Sequence, residues 1–318
     1  MRTRAKLLVT AAVAVLLGGV VVGHAVLSGP SGAAPAAGAV SGPRLVVLSN
    51  GLLSTVSRSD PAGPREVTDQ RCDRAYSAGG TTACLRPVGA FGAGGLAVLD
   101  ASLREVRTVP LTGFPNRARV SAGGRMVAWT LFVDGHSYAA NGFSTSAGVL
   151  DTRTGALVTS LEEFTSSVDG VVTAAADRNF WGVTFAADDN RFYATMSTGG
   201  HRYLVEGDFA ARTLRSVADG VECPSLSPDG TRIAYKAAVG GDPRRGWRLS
   251  VRDLATGAVT PLAETRSVDD QPAWLDDRTV AYGLQRGDGV NDVWSVPADG
   301  TGTPSVLVPE ANSPAAPD

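Results

Sequence analysis

The chain has 318 residues, 29 basic and 31 acidic side chains, a formal net charge of −2 and three cysteines. The charges are interspersed, and the absence of a basic stripe excludes the usual footprint of a nucleic-acid binder. The 38 glycines and 18 prolines point to a fold rich in turns, and the length suffices for a sizeable core.

The chain opens with Arg2, Arg4 and Lys6, and residues 7–27 are apolar apart from Thr10, the glycines and His24. That run matches the roughly 20 residues needed to span a bilayer. A charged start, an apolar stretch and small residues afterward also describe a cleavable export signal. Residues 1–28 are therefore read as a signal peptide or a single membrane anchor, with the two readings open. No cysteine follows the apolar run, so a lipoprotein anchor is not expected. Either reading keeps the basic start inside and exports the rest. Residues 29–43 are Gly, Ala, Pro and Ser without periodicity and read as a disordered linker.

From residue 44 to 318 the chain repeats itself. Residues 45–48, 52–57 and 65–68 read as the second, third and fourth strands of a unit that lacks a first. Then a strand–turn–strand pattern recurs: YSAGG before TTACL at 76–85, VSAGG before RMVAW at 120–129, and FAADD before NRFYAT at 185–195. It is clearest in PSLSPDGTRIAYK at 224–236 and returns as WLDD before RTVAYG at 274–283. Pro-Asp-Gly supplies the backbone angles of a tight turn with little strain. A second register follows each turn: a short strand, an acidic residue, a polar turn and another strand. Its markers Asp100, Asp151, Asp208, Asp253 and Pro297 step by 51, 57, 45 and 44 residues. Four short strands in about 45 residues is the size of a propeller blade. The longest step contains an insertion between 134 and 147 and a long approach through 162–177. No convincing amphipathic helix occurs among the repeats, and residues 160–168 are the best short candidate. Near the end, Asn312-Ser313-Pro314-Ala315 resembles Asp270-Gln271-Pro272-Ala273 and Glu222-Cys223-Pro224-Ser225. That places the missing first strand at the tail, closing the ring by a shared blade. The expected fold is an all-β, six-bladed propeller of four-stranded blades, preceded by an N-terminal hydrophobic signal or anchor helix.

The LSPDGTRIAYK and VRDLATGAVTPL boxes resemble the WD-type repeats of TolB-like propellers, which also occur in the propeller domains of prolyl-oligopeptidase-type peptidases. The resemblance covers residues 44–318 and is strongest in the last two complete units. It implies a role in protein interactions at the bacterial cell envelope. The motif specifies architecture far more than ligand.

Catalytic chemistry is sparse. Beyond the leader only His136 and His201 remain, no GxSxG elbow occurs, and no hydrolase half follows the repeats. Asp188-Asp189-Asn190 and Asp269-Asp270 lack the spacing of a calcium loop and read as turn formers. No CxxC pattern is present, and no cofactor or metal is expected. Cys72 and Cys84 flank a turn near residue 78, on the first and second strands of one hairpin, and after export are expected to bridge. Cys223 reads as a buried core residue.

In a four-stranded blade, the loops before the first strand and those between the second and third open on one face, here the loop face. Among the residues it gathers are Arg117, Arg178, Glu222, Asp270, His136, Tyr138, Asn141, Phe143, Arg244, Arg245 and Trp247. Arg178, Arg244, Arg245, Trp247 and Asp270 are the expected binding residues, because arginine and tryptophan dominate desolvated interfaces. The other face carries mainly Ser-Pro-Asp-Gly and Ala-Thr-Gly turns, whose residues backbone needs alone account for. The function expected is an exported or membrane-tethered, non-catalytic scaffold, monomeric, binding an envelope protein or peptide or a glycan. The alternative is a propeller enzyme of lactonase or polysaccharide-lyase type acting at the pore mouth.

Overall fold

The computed structural model of the chain describes residues 42–89, 94–133 and 144–317. The first blade opens with β1 (Arg44–Ser49), β2 (Leu52–Ser57) and β3 (Glu66–Arg71). The second is β4 (Arg74–Ala78), β5 (Thr81–Arg86), β6 (Gly94–Leu99) and β7 (Glu105–Leu111). The third is β8 (Phe114–Val120), β9 (Met126–Val133), β10 (Ser144–Asp151) and β11 (Leu157–Val158). A hairpin of β12 (Thr165–Val168) and β13 (Val171–Thr173) precedes the fourth blade, β14 (Asn179–Phe185), β15 (Arg191–Thr198), β16 (His201–Asp208) and β17 (Thr213–Asp219). The fifth is β18 (Glu222–Leu226), β19 (Arg232–Ala238), β20 (Trp247–Asp253) and β21 (Val259–Pro261). The sixth is β22 (Ala273–Asp276), β23 (Thr279–Gln285), β24 (Asn291–Pro297) and β25 (Ser305–Val308). Finally β26 (Asn312–Ala315) pairs antiparallel with β1 and completes the first blade. The fold is the all-β, six-bladed propeller expected, with the first strand of the split blade supplied by the tail. Arg65 secures that closure, with Nη1 donating to Ser49 Oγ at 2.7 Å and Nη2 to the Pro309 carbonyl. The leader and nearly all of the linker lie outside the described residues. Among the described residues no helix is long and apolar enough to cross a membrane.

Burial follows from blade stacking. A middle strand has a neighbouring blade on both faces, so it reads as a continuous apolar run, as in MVAWTLFV of β9, buried at its first six positions. An outer strand is covered less and alternates instead, as β3 does. The described core divides into six clusters, one per blade junction. Leu45, Val47 and Val56 meet Ala281, Val293 and Val308 where the ring closes. Between the third and fourth blades, Met126 and Val149 pack with Phe180, Phe185 and Phe192.

The acidic markers of the repeat have a local cause. Each caps the turn after a third strand by accepting backbone N–H groups. Asp151 Oδ1 accepts from Arg153 N at 2.9 Å, Asp253 Oδ1 from Thr256 N at 2.7 Å, and Asp208 Oδ1 from Ala211 N at 2.8 Å. Asp299 does the same for Thr301 N at 2.9 Å, two residues beyond the Pro297 marker. Arg125 forks onto Asp151 at 3.0 and 2.6 Å and holds its carboxyl well below the usual range.

Two local readings meet the structure differently. Residues 160–168, the best short helix candidate among repeats that show no convincing one, form only a single 3-10 turn, Leu161–Glu163, capped by Ser160 and Glu163. Thr165 and Val168 are β-branched and favour extension, and β12 runs parallel to β17 as an added strand. Asp169 and Gly170, with φ of 50° and 79°, then turn the chain into β13. The fourth sheet therefore has six strands. Cys72 lies in the connection between β3 and β4, not on a first strand, because Ala75 is the residue paired opposite Cys84. The two sulfurs are nevertheless joined, with the Cα atoms 5.4 Å apart.

Candidate functional site

The innermost strands surround a central channel, and most of them break register with their neighbours. Bulges fall at 115/117, 181/184, 222/225 and 274/276, and opposite 46/48 in the shared blade. At three of them Gly182, Cys223 and Ser313 take φ of 67°, 50° and 53°. The amides at two bulges turn to the preceding blade: Gly182 N donates to Thr130 Oγ1 at 3.2 Å and Cys223 N to Thr195 Oγ1 at 2.9 Å. Bulges re-aim side chains, and here Arg117 turns into the channel.

At the loop face the channel is stitched shut. Arg74 Nε and Arg117 Nη1 both donate to the Asn116 carbonyl at 2.8 Å. Arg117 Nη2 crosses to the Asp269 carbonyl at 3.1 Å. Gln271 Nε2 donates to the carbonyls of Val183 and Pro224 at 3.1 and 2.7 Å, joining three blades. Lys236 contacts Asp269 and lies 4.1 Å above the Trp247 ring. Arg202 Nε is 2.7 Å from Glu222 Oε1 but its N–H points off that line, leaving an ion pair without a directed hydrogen bond. Burial pushes the Glu222 carboxyl up to about 7 despite Lys236 and Arg202 nearby. Burial also raises the Cys223 thiol, which suits an inert core residue.

The five expected binding residues are only partly assembled. Trp247 and Asp270 flank the Lys236–Asp269 contact, with Asp270 Oδ2 accepting from Gly283 N at 2.9 Å. Arg244 and Arg245 sit on the 3-10 turn Pro243–Arg245, capped by Asp242. The Arg244 side chain is 91% exposed and its Nε is 3.1 Å from Asp242 Oδ1. Arg178 serves its own blade, donating to the carbonyls of Ala175, Phe164 and Glu162 and to Ser166 Oγ. His136, Tyr138, Asn141 and Phe143 lie outside the described residues. Among the described residues no grouping of three or more His, Cys, Asp or Glu is placed to hold a metal ion.

The channel opens on the other face, the turn face, although backbone needs alone account for the residues of its turns. The funnel is a cavity of about 400 Å³ to which all six blades contribute. Tyr76, Arg119, Phe185, Leu226, Trp274 and Ala316 are among its lining residues. Arg119, missed from the sequence, is at its base. Asn116-Arg117-Ala118-Arg119-Val120 is the signal that could have found it, since arginines two apart on a strand share one face.

These features define a propeller with one mouth tied by ion pairs and the other open. No protein-family model matches the chain. A segment of 58 residues is 41% identical to the protein TolB homolog of Chlorobium chlorochromatii (strain CaD3), covering 18% of this chain and 12% of that protein. The match thus spans well under two thirds of that relative. The fold is similar to that of TolB from Acinetobacter baumannii, with a TM-score of 0.64 and 16% identity over 88% of this chain and 69% of the other. It is also similar to a putative TolB from Agrobacterium tumefaciens, with a TM-score of 0.53 and 13% identity over 86% and 92% of the two chains. The likeness to TolB is thus one of fold over most of the chain.

Proposed function

We propose that this chain is an exported, non-catalytic propeller that acts as a binding scaffold for a protein or peptide of the bacterial cell envelope. The observation that carries this reading is the TolB-type fold over 88% of the chain. A stacked ring of blades presents many loops on one rigid disc, which suits recognition of a protein surface. The leader at 1–28 anchors the domain or releases it on the extracytoplasmic side. Docking occurs on the loop face, where Arg244 and Arg245 project from a capped turn and Trp247 is held in place by Lys236. Asp270 shapes the rim beside them, and Arg178 braces the neighbouring blade. Arginine and tryptophan contribute most per residue when an interface desolvates them.

The test replaces Arg244, Arg245 and Trp247 together with alanine in the full chain. The variant should keep its circular-dichroism spectrum and lose at least tenfold in recovery of the envelope protein that the wild type retains after crosslinking in intact cells. Unchanged recovery by a folded variant overturns the assignment.

A further inference from the structure

Arg119 has a chemistry that the turns around it do not require. It is 4% exposed. Its Nη2 donates to the Pro272 carbonyl at 3.0 Å, and its guanidinium lies 4.2 Å above the Tyr76 ring. Its Nε has no hydrogen-bond partner, and no carboxylate among the described residues pairs with it. Deeper in the channel Arg117 is 7% exposed, and its Nε is likewise unpartnered, with Asp270 Oδ1 3.8 Å away and beyond hydrogen-bond reach. A guanidinium offers five donors in a planar fork. Burying one with so few acceptors is costly, and buried polar groups are ordinarily satisfied. The cost is offset where an acceptor arrives from outside the chain.

The funnel above Arg119 has the volume of a small-ligand site, for which roughly 300–1,000 Å³ is usual. Val120, Phe185, Leu226, Trp274 and Leu275 give it apolar walls. Trp274 is fixed by its Nε1, which donates to the Ser225 carbonyl at 2.8 Å. Of the charged residues in the wall besides Arg119, Asp229 is engaged by Arg232 at 2.9 Å, and Arg191 lies 3.9 Å from Asp188. No acid in the wall is turned to Arg119, so the base of the funnel is cationic beneath an apolar collar.

We propose that the funnel on the turn face binds a carboxylate carried on an apolar segment, the carboxylate reaching Arg119 and the segment lying against Phe185, Leu226 and Trp274. A planar, bidentate acceptor suits the guanidinium fork. The carboxylate comes from the end of a polypeptide chain or from a free small acid. This site stands apart from the rim around Arg244, which lies at the opposite end of β19.

The test titrates the full-length protein with N-acetyl-Ala-Leu-Leu bearing a free carboxylate, with its C-terminal amide, and with hexanoate. Calorimetry and tryptophan fluorescence report binding. The free acid should bind at least tenfold more tightly than the amide, and Arg119→Gln should remove that preference while leaving the amide unaffected. Hexanoate binding as tightly as the peptide acid assigns the site to small free acids, and binding tenfold weaker assigns it to a chain end. Equal affinity for acid and amide in the wild type, or no binding of any probe at millimolar concentration, overturns the proposal, and neither comparison depends on the variant folding. An undiminished preference in a folded Arg119→Gln variant overturns it as well.

Discussion

The two mouths of the channel are built from the same six innermost strands, yet they differ in kind. The loop-face mouth is crossed by Arg74, Arg117, Gln271 and the Lys236–Asp269 contact. The turn-face mouth widens to about 400 Å³ around a single buried arginine. Strand direction explains the difference. The first halves of the innermost strands sit at the loop face, and in β8 and β18 the ladder is broken there, so polar groups look for partners elsewhere. The second halves run into tight turns that satisfy their own backbone and leave the space between blades open. In this molecule the regular turns surround the cavity, and the irregular loops fill theirs.

The most severe way to break the contrast is to remove residues 310–318. Ser313 and Pro314 line the throat, and Ala316 and Pro317 line the funnel, so both mouths lose a wall at once. Without β26 the edge of β1 is unpaired. The truncated protein should aggregate, or melt far below the full chain, when followed by size-exclusion chromatography and thermal denaturation. A monomer with unchanged melting temperature would count against the shared blade as the closure.

A smaller effect separates the mouths by charge. Glu222 belongs to the stitched side, and burial raises its carboxyl to about 7, above its ordinary value of 4.5. The folded chain therefore keeps a proton that the unfolded chain releases. Its contribution to stability is complete below about pH 4.5 and is lost as pH rises through about 7, by up to about 3 kcal/mol. Glu222→Gln should abolish this decline. Melting curves of wild type and variant should thus diverge between pH 5 and pH 8, and parallel curves would sink the assignment.

The smallest of the three concerns the covalent tie. Cys72, in the connection that enters the second blade, is joined to Cys84 on β5 across a sequence separation of 12. A loop that short contributes about 2–3 kcal/mol by chain-entropy reckoning. Reduction should lower the melting temperature with the fold retained, and mass spectrometry of non-reduced peptides should show the two cysteines linked. Three free thiols in protein prepared without reductant would refute the bridge.

The difference between the mouths also explains what the sequence could reveal. Blade number, the shared blade and the tail strand were legible, because Asn312 to Ala315 repeats the pattern of Asp270 to Ala273. The added hairpin was not, because Ser160 and Glu163 begin a capped turn as they would a helix. Only Asp169-Gly170, flanked by Val168 and Val171, betrayed it. The loop-face network was half legible: Arg117, Glu222 and Asp270 were placed on the correct face, but Arg117 reaches the Asp269 carbonyl and Asp270 accepts from the Gly283 amide, backbone groups that leave no trace in side-chain identity. The funnel was invisible. It is formed by six segments far apart in sequence, each of which has a sufficient local reason to be a turn.

The junction of β1 with β26 sets an order of events in time. Val46 and Leu48 pair with Ala315 and Asn312, the longest sequence separation in the ring. As the polypeptide grows, every other blade can complete its ladder from neighbouring residues, while β1 waits with an open edge until the final strand exists. Late, non-local pairing of this kind slows folding and prolongs exposure of an aggregation-prone edge. The Arg65 contacts to the Pro309 and Glu310 carbonyls tie the same late-made segment to the first blade.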